Sequence, residues 1–298
     1  MVKQVSVVIP SYKRKTSLLR LLKSISSGVN SQSEVVIVEQ EGQNKEEMRR
    51  IGRKLGLTLH YIYLPKPSTT HAMNVGVLSA KGEYVLFLDD DVVVKPGLIA
   101  NHLKNFKDPK VAATVGRAVT KDQPVEPNRR DTGRINWLGR FSDGYSSTIR
   151  QEVDTVIGCN TCWRKDIYKK LGGADEQFTG NALRFESDLS LRAKKMGYKI
   201  IFEPKAEVEH LREETGGARK SEGRIQWCFD FFSNETYFFL KHRPKFLLPV
   251  FLFTKTEWAL RCMFGFGREV SVRSMVTPTL GILDGIRKYI KYFYENRR

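Results

Sequence analysis

The first third of the chain alternates between short apolar runs and helical patterns, and this alternation is the strongest constraint on the fold. Apolar, β-branched runs at residues 5–9, 35–38, 59–63 and 84–88 predict buried strands. Helical spacing predicts one helix capped by Thr16 or Ser17, and others over residues 45–55 and 68–79. Strands that alternate with helices predict an α/β domain with a largely parallel sheet. Ligands of such sheets bind beyond the carboxyl ends of the strands.

The middle of the chain continues this pattern after one interruption. Residues 121–152 are polar and contain several Pro and Gly, which predicts a long loop; such loops are often functional inside a compact domain. Residues 155–163 then predict renewed order, with a buried strand around residues 156–158. Helices are predicted over residues 165–171 and 186–196, and a further strand over residues 199–202.

The composition changes after about residue 225. More than half of the aromatic residues follow this point, and from residue 237 onward basic residues outnumber acidic ones. No uninterrupted apolar run approaches the ~20 residues that a spanning helix needs. We therefore expect residues 246–266 to lie on a membrane surface. Leu283, Ile286, Ile290 and Phe293 follow helical spacing, and this stripe could equally pack on the rest of the protein.

The charge of the chain limits its partners. Fifty Lys and Arg against 33 Asp and Glu give a net charge of +17, which attracts nucleic acid, anionic lipid or phosphorylated substrates. We expect no nucleic acid, because there is no zinc-finger, RNP or helix-turn-helix pattern. Four Cys are too few and too scattered for a disulfide scaffold, so a reducing, cytoplasmic compartment is expected. Cys159 and Cys162 are interpreted as packed thiols rather than zinc ligands.

The most specific chemical signal is the sequence Leu86-Phe87-Leu88-Asp89-Asp90-Asp91. Here a buried strand ends abruptly in three carboxylates. Alternate residues of an extended segment point the same way, so Asp89 and Asp91 can face one ligand. Carboxylates this close repel each other unless they share a cation. Mg²⁺ or Mn²⁺, held by a few protein oxygens and a substrate diphosphate, fits this pattern.

A second acidic pair, Glu186 and Asp188, lies at a predicted helix start, where the helix dipole favours anions. Either carboxylate could be a general base, or both could be only capping residues. Arg192 follows Asp188 at the spacing of an ion pair along one helix. We therefore assign a mainly structural role to Asp188 and the chemical role to Glu186, with Asp188 as the alternative base.

Two weaker signals follow this helix. His210 is interesting as an extra metal ligand beside the aspartates, although a lone His is more often an ordinary polar residue. Gly216 and Gly217 precede Arg219 and Lys220, a combination that suits a mobile phosphate clamp and equally suits a solvated loop.

The order of these motifs resembles that of the family 2 glycosyltransferases over about residues 4–220. The resemblance rests on seven pieces in the family's order, which are residues 7–14, 74–76, 80–84, 89–91, 158–164 and 172–178, then the Glu186-Ser187-Asp188-Leu189 step with His210. It implies a GT-A type, Rossmann-like single domain over residues 1–224, which would be catalytic. Residues 225–298 would form a helical region on the membrane or acceptor side.

The resemblance also implies roles for individual residues. Asp89 and Asp91 match the metal-binding Asp-x-Asp motif, and Glu186 matches the catalytic base, with Phe185 where the family usually has an acid. Glu39 stands near the place where the family usually has an aspartate that contacts the base of the nucleotide. The remaining residues implied to bind the nucleotide sugar are Pro10, Tyr12, Arg14, Asn74, Asp90 and Arg219.

The resemblance thus implies an inverting glycosyltransferase that uses a divalent cation, Mg²⁺ or Mn²⁺, and a nucleoside-diphosphate sugar donor. Its acceptor would be a lipid-linked or cell-envelope glycan, and the protein would be peripheral on the inner face of the plasma membrane. The alternatives are a nucleotidyltransferase of similar fold and a basic nucleic-acid-binding protein. An oxidoreductase that binds a dinucleotide is disfavoured, because no G-x-G-x-x-G follows the first strand.

Overall fold

The alternating region forms one half of a nine-stranded mixed sheet. The computed structural model describes residues 4–28, 33–40, 42, 44–121, 123–213, 216–217, 223–264 and 271–295. Its strands are β1 (Val5–Ser11), β2 (Ser33–Glu39), β3 (Leu59–Tyr63), β4 (Tyr84–Leu88), β5 (Val92–Val94), β6 (Val111–Val119), β7 (Gln151–Glu152), β8 (Asn160–Arg164) and β9 (Lys199–His210). The sheet order is β3-β2-β1-β4-β8-β6-β9-β5, and β7 pairs with β9.

Most strands of this sheet point the same way. β1 pairs in parallel with β2 and β4, β2 pairs in parallel with β3, and β6 pairs in parallel with β9. β8 lies antiparallel between β4 and β6, while β5 and β7 run antiparallel to β9. The carboxyl ends of β1, β4 and β9 therefore meet at one edge of the sheet. Pairing of β8 joins strands that are far apart in the sequence, so the alternation alone does not predict it.

The helices follow the sequence predictions closely in the first third of the chain. They are α1 (Lys15–Ser26), α2 (Lys45–Lys54), α3 (Thr69–Ser79), α4 (Leu98–Leu103), α5 (Lys165–Lys170), α6 (Phe185–Lys195), α7 (Gly223–His242), α8 (Leu248–Phe253), α9 (Thr256–Phe264) and α10 (Val272–Glu295). Two short 3-10 helices span Lys104–Lys107 and Lys245–Leu247. The expected cap of α1 is wrong: Arg14 precedes the helix without a side-chain cap, and Ser17 is buried.

Helices cover both faces of the sheet because each buried strand is apolar on both sides. Leu18, Leu22 and Ile25 of α1 pack with Val7 and Ile37 on one face. On the other face, Ala72, Met73 and Val77 of α3 pack with Val8 and Phe87. A side chain at Gly76 would overlap with Val8, so this glycine lets α3 approach β1 closely. The second face also carries Tyr237 and Phe238 of α7, which therefore belongs to the main core.

The interruption at residues 121–152 is largely irregular in its described part, as predicted. It contains a single bridge between Ile135 and Phe141, and it ends at β7. β9 is much longer than the predicted strand at residues 199–202, because it continues past an irregularity in its pairing with β6 to His210. This extension carries His210 to the same edge as the ends of β1 and β4.

The C-terminal helices pack in an unexpected way. α10 lies on α7 through Gly281 and Gly285, where a Cβ atom would come within 2.6 Å of Phe229 O and 2.5 Å of Ser233 O. Of the apolar stripe of α10, Leu283 is 56% exposed and Ile290 is 48% exposed, whereas Ile286 and Phe293 are partly buried, so packing on the rest of the protein is not found for the first two. Small side chains allow the backbones of the two helices to approach more closely than this stripe would.

Residues 246–264 also expose apolar side chains. Phe246 and Phe253 are 79% exposed, whereas Phe251 is buried against Phe239. None of the helices in the described segments is both long and apolar enough to cross a bilayer. A disulfide joins Cys228 of α7 to Cys262 of α9, and the sequence analysis does not predict this link. Cys159 and Cys162 are buried free thiols, in agreement with their interpretation as packed thiols.

Candidate functional site

A cleft of about 900 Å³ lies beyond the carboxyl ends of β1, β4 and β9. Its walls come from the β1–α1 turn, the acidic end of β4, the irregular region before β7, the start of α6 and the end of β9. This is where the topology of an α/β sheet places ligands. The cleft collects acidic, basic and aromatic side chains from segments that are distant in the sequence.

Three potential metal ligands meet at the floor of this cleft. Ligand atoms of Asp89, Asp91 and His210 all lie within 4.8 Å of one another. His210 Nε2 lies 3.2 Å from Asp91 Oδ1 and 3.9 Å from Asp89 Oδ2. Carboxylate oxygens suit Mg²⁺ and Mn²⁺, and an imidazole nitrogen is a ligand that Mn²⁺ also accepts. The donor set therefore fits a divalent cation, with Asp91 buried and Asp89 half exposed.

Arg14 lies against the acidic residues. Its Nη1 donates to Asp91 Oδ2 at 2.9 Å and to Asp90 Oδ1 at 3.2 Å. Asp90 is buried, and its Oδ2 accepts a hydrogen bond from Ser11 Oγ at 2.8 Å. Burial raises the pKa of Asp90 to about 7, although the Ser11 hydrogen bond and the Arg14 charge act to lower it. The carboxylates of this group thus have different environments within three consecutive residues.

Asp91 and His210 stabilise each other's charged forms. Burial alone would raise the pKa of Asp91, but the hydrogen bond and charge of His210, together with Arg14, lower it. Burial would likewise lower the pKa of His210, but the Asp91 hydrogen bond and the charges of Asp89 and Asp91 raise it. The Arg14 guanidinium, and the His210 imidazole in its protonated form, supply positive charge beside these carboxylates.

Glu186 faces the cleft, and Asp188 does not. Glu186 is the second residue of α6 and lines the cleft wall opposite Gly158, where an added Cβ would lie 3.0 Å from Glu186 Oε1. A glycine at position 158 therefore leaves room for this carboxylate. Residues two apart on a helix point to different sides, and Asp188 accordingly points away from the cleft.

Asp188 is completely buried between α6 and α7. It accepts hydrogen bonds from Arg192 Nε at 2.8 Å and His242 Nε2 at 2.7 Å, and Lys241 Nζ lies 2.8 Å away. Burial acts to raise the pKa of Asp188, but the charge of Arg192 and the contacts with His242 and Lys241 hold it well below its ordinary value. These contacts tie the two helices together, and the ion pair with Arg192 is the one that the helical spacing predicts.

The remaining predicted residues are divided between the cleft and its supports. Pro10 and Tyr12 line the cleft beside Arg14. Glu39 does not line it; this buried side chain accepts hydrogen bonds from Tyr61 OH at 2.5 Å and Asn44 Nδ2 at 3.1 Å. The next residue, Gln40, lines the cleft instead, and its Oε1 accepts a hydrogen bond from Ser68 N.

Asn74 is also a support rather than part of the cleft wall. Its Oδ1 accepts hydrogen bonds from Ala174 N and Tyr168 OH, and its Nδ2 donates to Ala174 O. These bonds fix the turn after the paired glycines Gly172 and Gly173. Arg219 lies outside the described residues, whereas Gly217 lines the cleft and donates from its backbone to Tyr12 O.

Sequence reasoning missed several residues of the cleft wall, most clearly Gln40, Gly158 and Arg184. Gln40 adjoins Glu39, and Gly158 begins the recognised piece at residues 158–164, so the position of each was a usable signal. Arg184 carries no pattern of its own, because its position depends on partners in α7. Tyr145 and Phe141, from the irregular region, also reach the cleft. This placement brings part of the long loop to the cleft.

Comparison with known proteins gives consistent results. A curated glycosyltransferase of Haemophilus influenzae, described as uncharacterized, is 26% identical over 164 residues, covering 51% of this chain and 55% of the relative. A poly-beta-1,6-N-acetyl-D-glucosamine synthase of Staphylococcus aureus is 29% identical over 164 residues, covering 53% of this chain and 37% of the relative. This chain thus spans only about half, or less, of the length of these relatives.

The fold also has solved counterparts. A mannosyltransferase from Pyrobaculum calidifontis, in complex with GDP-Man and Mn²⁺, superposes with a TM-score of 0.58 at 16% identity, covering 97% of this chain and 88% of that one. The predicted fold class, a GT-A type α/β domain with a mostly parallel central sheet, is confirmed. The sequence model described as glycosyltransferase like family 2 matches residues 3–228. With most of its length matched and its sheet, cleft and acidic strand end in place, the chain belongs to the glycosyltransferase-like family 2.

Proposed function

We propose that this protein is an inverting, metal-dependent glycosyltransferase. It would move a sugar from a nucleoside-diphosphate sugar to a hydroxyl group of a lipid-linked or cell-envelope glycan. The observation that carries the proposal is the combination of Asp89, Asp91 and His210 with Glu186 in one cleft. A cation-binding group and a separate carboxylate are the two parts that such a transfer requires.

The proposed reaction divides these residues between the leaving group and the nucleophile. A divalent cation held by Asp89, Asp91 and His210 would neutralise the charge of the diphosphate leaving group. Glu186 accepts the proton of the acceptor hydroxyl as its oxygen attacks the anomeric carbon. The bond between this carbon and the diphosphate oxygen breaks on the opposite face, and its electron pair leaves with the diphosphate. The new bond therefore forms with inverted configuration.

The donor would lie along the β1 side of the cleft. Pro10, Tyr12 and Gln40 line this side and are proposed to contact the nucleoside. Arg14 already contacts Asp90 and Asp91, so we propose that it balances their charge and adjusts when the donor binds. Glu39 and Asn74 would act indirectly, through Tyr61 and the turn at residues 173–174. Arg219 remains a proposed contact of the departing diphosphate.

The proposed acceptor and location rest on two further observations. The Staphylococcus aureus relative is by name a synthase of poly-beta-1,6-N-acetyl-D-glucosamine, which supports a glycan acceptor. Exposed apolar side chains on α8, α9 and α10, together with the net charge of +17, support contact of residues 225–298 with an anionic membrane surface. We place the protein on the inner face of the plasma membrane.

The Cys228–Cys262 disulfide runs against this location, because disulfides are rare in reducing compartments. The cytoplasmic proposal therefore requires that both thiols be reduced in the cell. Trapping the thiols with an alkylating agent during cell lysis tests this requirement: four modified Cys per chain support the cytoplasmic location, and two modified Cys contradict it.

Nucleotide binding gives the most direct test of the function. We expect one of UDP, GDP, dTDP or CMP to raise the melting temperature of the protein with Mn²⁺ and not with EDTA. D89N and D91N should abolish the Mn²⁺-dependent rise in melting temperature. The control D108N changes an aspartate on the surface near β6 and should respond as the wild type does. Equal Mn²⁺-dependent stabilisation by the nucleotide in wild type and D91N would exclude the assigned metal site.

Product analysis distinguishes the proposed glycosyltransferase from the main alternative, a nucleotidyltransferase. A glycosyltransferase incubated with its donor and acceptor releases a nucleoside diphosphate or, for a CMP-linked donor, a nucleoside monophosphate. A nucleotidyltransferase of similar fold releases pyrophosphate instead. Release of pyrophosphate would show that the protein is a nucleotidyltransferase, and it would not contradict the assigned metal site.

A further inference from the structure

Arg184 is a buried cation in the cleft wall that the proposed reaction does not use. It lies two residues before Glu186, lines the cleft and is 5% exposed. Its φ angle is +80°, in the left-handed region that residues with a side chain rarely adopt. Such a conformation is unfavourable for a residue with a side chain, and it persists where the surroundings impose it. The position of this guanidinium is therefore strongly determined by the fold.

One edge of the Arg184 guanidinium is held by Glu235 of α7. Arg184 Nε donates to Glu235 Oε1 at 2.7 Å, and Arg184 Nη2 lies 2.7 Å from the same oxygen. Lys255 Nζ lies 2.9 Å from Glu235 Oε2. Two cations thus share one buried carboxylate, and this group of three side chains carries one net positive charge. Buried charges are normally balanced by a partner of the opposite sign.

The faces of the guanidinium are covered by aromatic rings. Its central carbon lies 4.1 Å from the centre of the Phe141 ring and 5.5 Å from that of Phe238. Phe141 also lines the cleft. The nitrogen Nη1 lies on the opposite side of the guanidinium from the Nε and Nη2 edge that Glu235 occupies. Among the residues that the structure describes, Nη1 is buried without a hydrogen-bond partner.

We propose that Arg184 is an acceptor-binding residue, whose Nη1 donates a hydrogen bond to an anionic oxygen, a carboxylate or a phosphate, of the acceptor. This inference rests on the proposed function, because it needs an acceptor beside Glu186. Arg184 and Glu186 belong to the same segment, whereas Arg14 and the metal ligands form the donor side. A charged anchor here would hold the acceptor with its hydroxyl group toward Glu186. It would also use the positive charge that Glu235 leaves unbalanced.

Anion binding by the wild-type protein and by a variant of unchanged net charge tests this assignment. R184Q alone would remove one positive charge from the group, so R184Q/E235Q, which keeps the net charge and leaves an amide pair at the same place, is the main variant. The control R287Q removes a guanidinium that is exposed on α10. Inorganic phosphate, glucuronate and uncharged glucose are each titrated while the melting temperature is measured.

We expect phosphate or glucuronate, and not glucose, to stabilise the wild type and R287Q. R184Q/E235Q should need at least about ten times the anion concentration for the same rise in melting temperature, since a hydrogen bond to a charged group contributes about 1.5–3 kcal/mol. A stronger effect of glucuronate indicates a carboxylated glycan, and a stronger effect of phosphate indicates the phosphate of a lipid-linked sugar. Equal responses of wild type and double variant, an equal response to glucose, or no anion response in the wild type would overturn the proposal.

Nucleotide binding with Mn²⁺ in the same variants separates this inference from the proposed function. R184Q/E235Q should keep it, since Arg184 is assigned to the acceptor. Loss of nucleotide binding in this variant would move Arg184 to the donor side and overturn the inference. Absence of nucleotide binding in the wild type itself would instead contradict the proposed function.

Discussion

Glu186 and Asp188 stand two residues apart on one helix, yet their surroundings differ completely. Asp188 is buried among Arg192, Lys241 and His242, which satisfy and stabilise its charge. Glu186 lies at the cleft wall, within reach of a bound molecule. A general base must contact the proton that it removes, and this requirement favours Glu186. We therefore expect substitution of Glu186 to affect turnover and substitution of Asp188 to affect stability.

For E186Q, we expect turnover to fall by about 10²–10⁴, the usual contribution of a general base, with little change in nucleotide binding. For D188N, we expect loss of stability first, because three cationic or polar partners would face a neutral amide. Steady-state rates and melting temperatures of both variants check this. Normal turnover in E186Q, with a loss in folded D188N, would transfer the role of base to Asp188.

His102 predicts a dependence of stability on pH. Its ring is fully buried, with Nδ1 2.7 Å from Thr114 Oγ1 and Nε2 2.8 Å from Asn160 Oδ1. Burial lowers its pKa from 6.5 to about 4, although the Asn160 hydrogen bond and the Glu203 charge raise it and Lys104 lowers it. The unfolded chain therefore binds a proton first as the pH falls. Stability is fully present above pH 6.5 and is lost toward pH 4.

From neutral pH to about pH 5, we expect this residue to lower the free energy of unfolding by about 2 kcal/mol. Urea unfolding of wild type and H102Q at both pH values isolates the contribution, which H102Q should lack. H71Q, which changes a half-exposed histidine, serves as the control. An equal drop in H102Q and wild type would show that other groups cause the acid sensitivity.

The sequence predicts site residues well where the signal is local and poorly where it depends on tertiary contacts. Asp89, Asp91 and Glu186 follow or begin regular elements, so their place at the sheet edge could be expected. Glu39 and Asn74 occupy recognisable motifs, but a motif does not tell where a side chain points. Arg184 owes its setting to Glu235, which is 51 residues away in the sequence.

At the scale of elements, the sequence predicts the helices and strands of the alternating region. It does not predict which helices and strands pack or pair with one another. The period of 3.6 residues marks Leu283 and Ile290 as one face of α10. It cannot tell which face of the helix is buried. Gly281 and Gly285 determine this, because they let α10 lie against the backbone of α7. For the same reason β8 is found between β4 and β6, although nothing near it in the sequence indicates antiparallel pairing.

G285A tests the close approach of α10 to α7. The added methyl group would lie 2.5 Å from Ser233 O and 2.7 Å from Thr236 Cβ. Overpacking typically costs about 1–3 kcal/mol, which outweighs the gain in helix propensity of about 1 kcal/mol at most. We expect a net loss of stability in urea unfolding. L283A, on the exposed face of the same helix, should cost less; a stable G285A would contradict the packing.

At the scale of the whole molecule, apolar side chains accumulate on the surface of the C-terminal helices. We call these residues the C-terminal apolar surface: Phe246, Val250, Phe253, Trp258, Leu260, Phe264, Val272, Met275, Val276, Leu280 and Leu283. Where exposed apolar side chains lie together on a surface, they often mark a site of interaction. Basic residues of the same helices add an attraction of about 1 kcal/mol each to an anionic bilayer.

We expect the protein to sediment with vesicles that contain anionic lipid, less with neutral vesicles, and to be partly released by salt. F246S/F253S should bind more weakly, while L78S, exposed on α3, should not differ from the wild type. Substitutions are preferable to removal of residues after 224, because Tyr237 and Phe238 belong to the main core. Failure of the full chain to bind anionic vesicles at low salt would assign this surface to a protein partner.

Lys288, near the end of α10, has a consequence for the order in which the protein assembles. Its Nζ donates to Thr179 Oγ1 at 2.9 Å, and Asn234 Nδ2 donates to Thr179 O at 2.9 Å. The segment that leads into Arg184 and Glu186 thus depends on partners up to 109 residues later in the chain. Chains emerge from the ribosome with the N-terminus first. A nascent chain can therefore complete the β1 and β4 side of the cleft well before translation supplies the residues that hold the opposite wall.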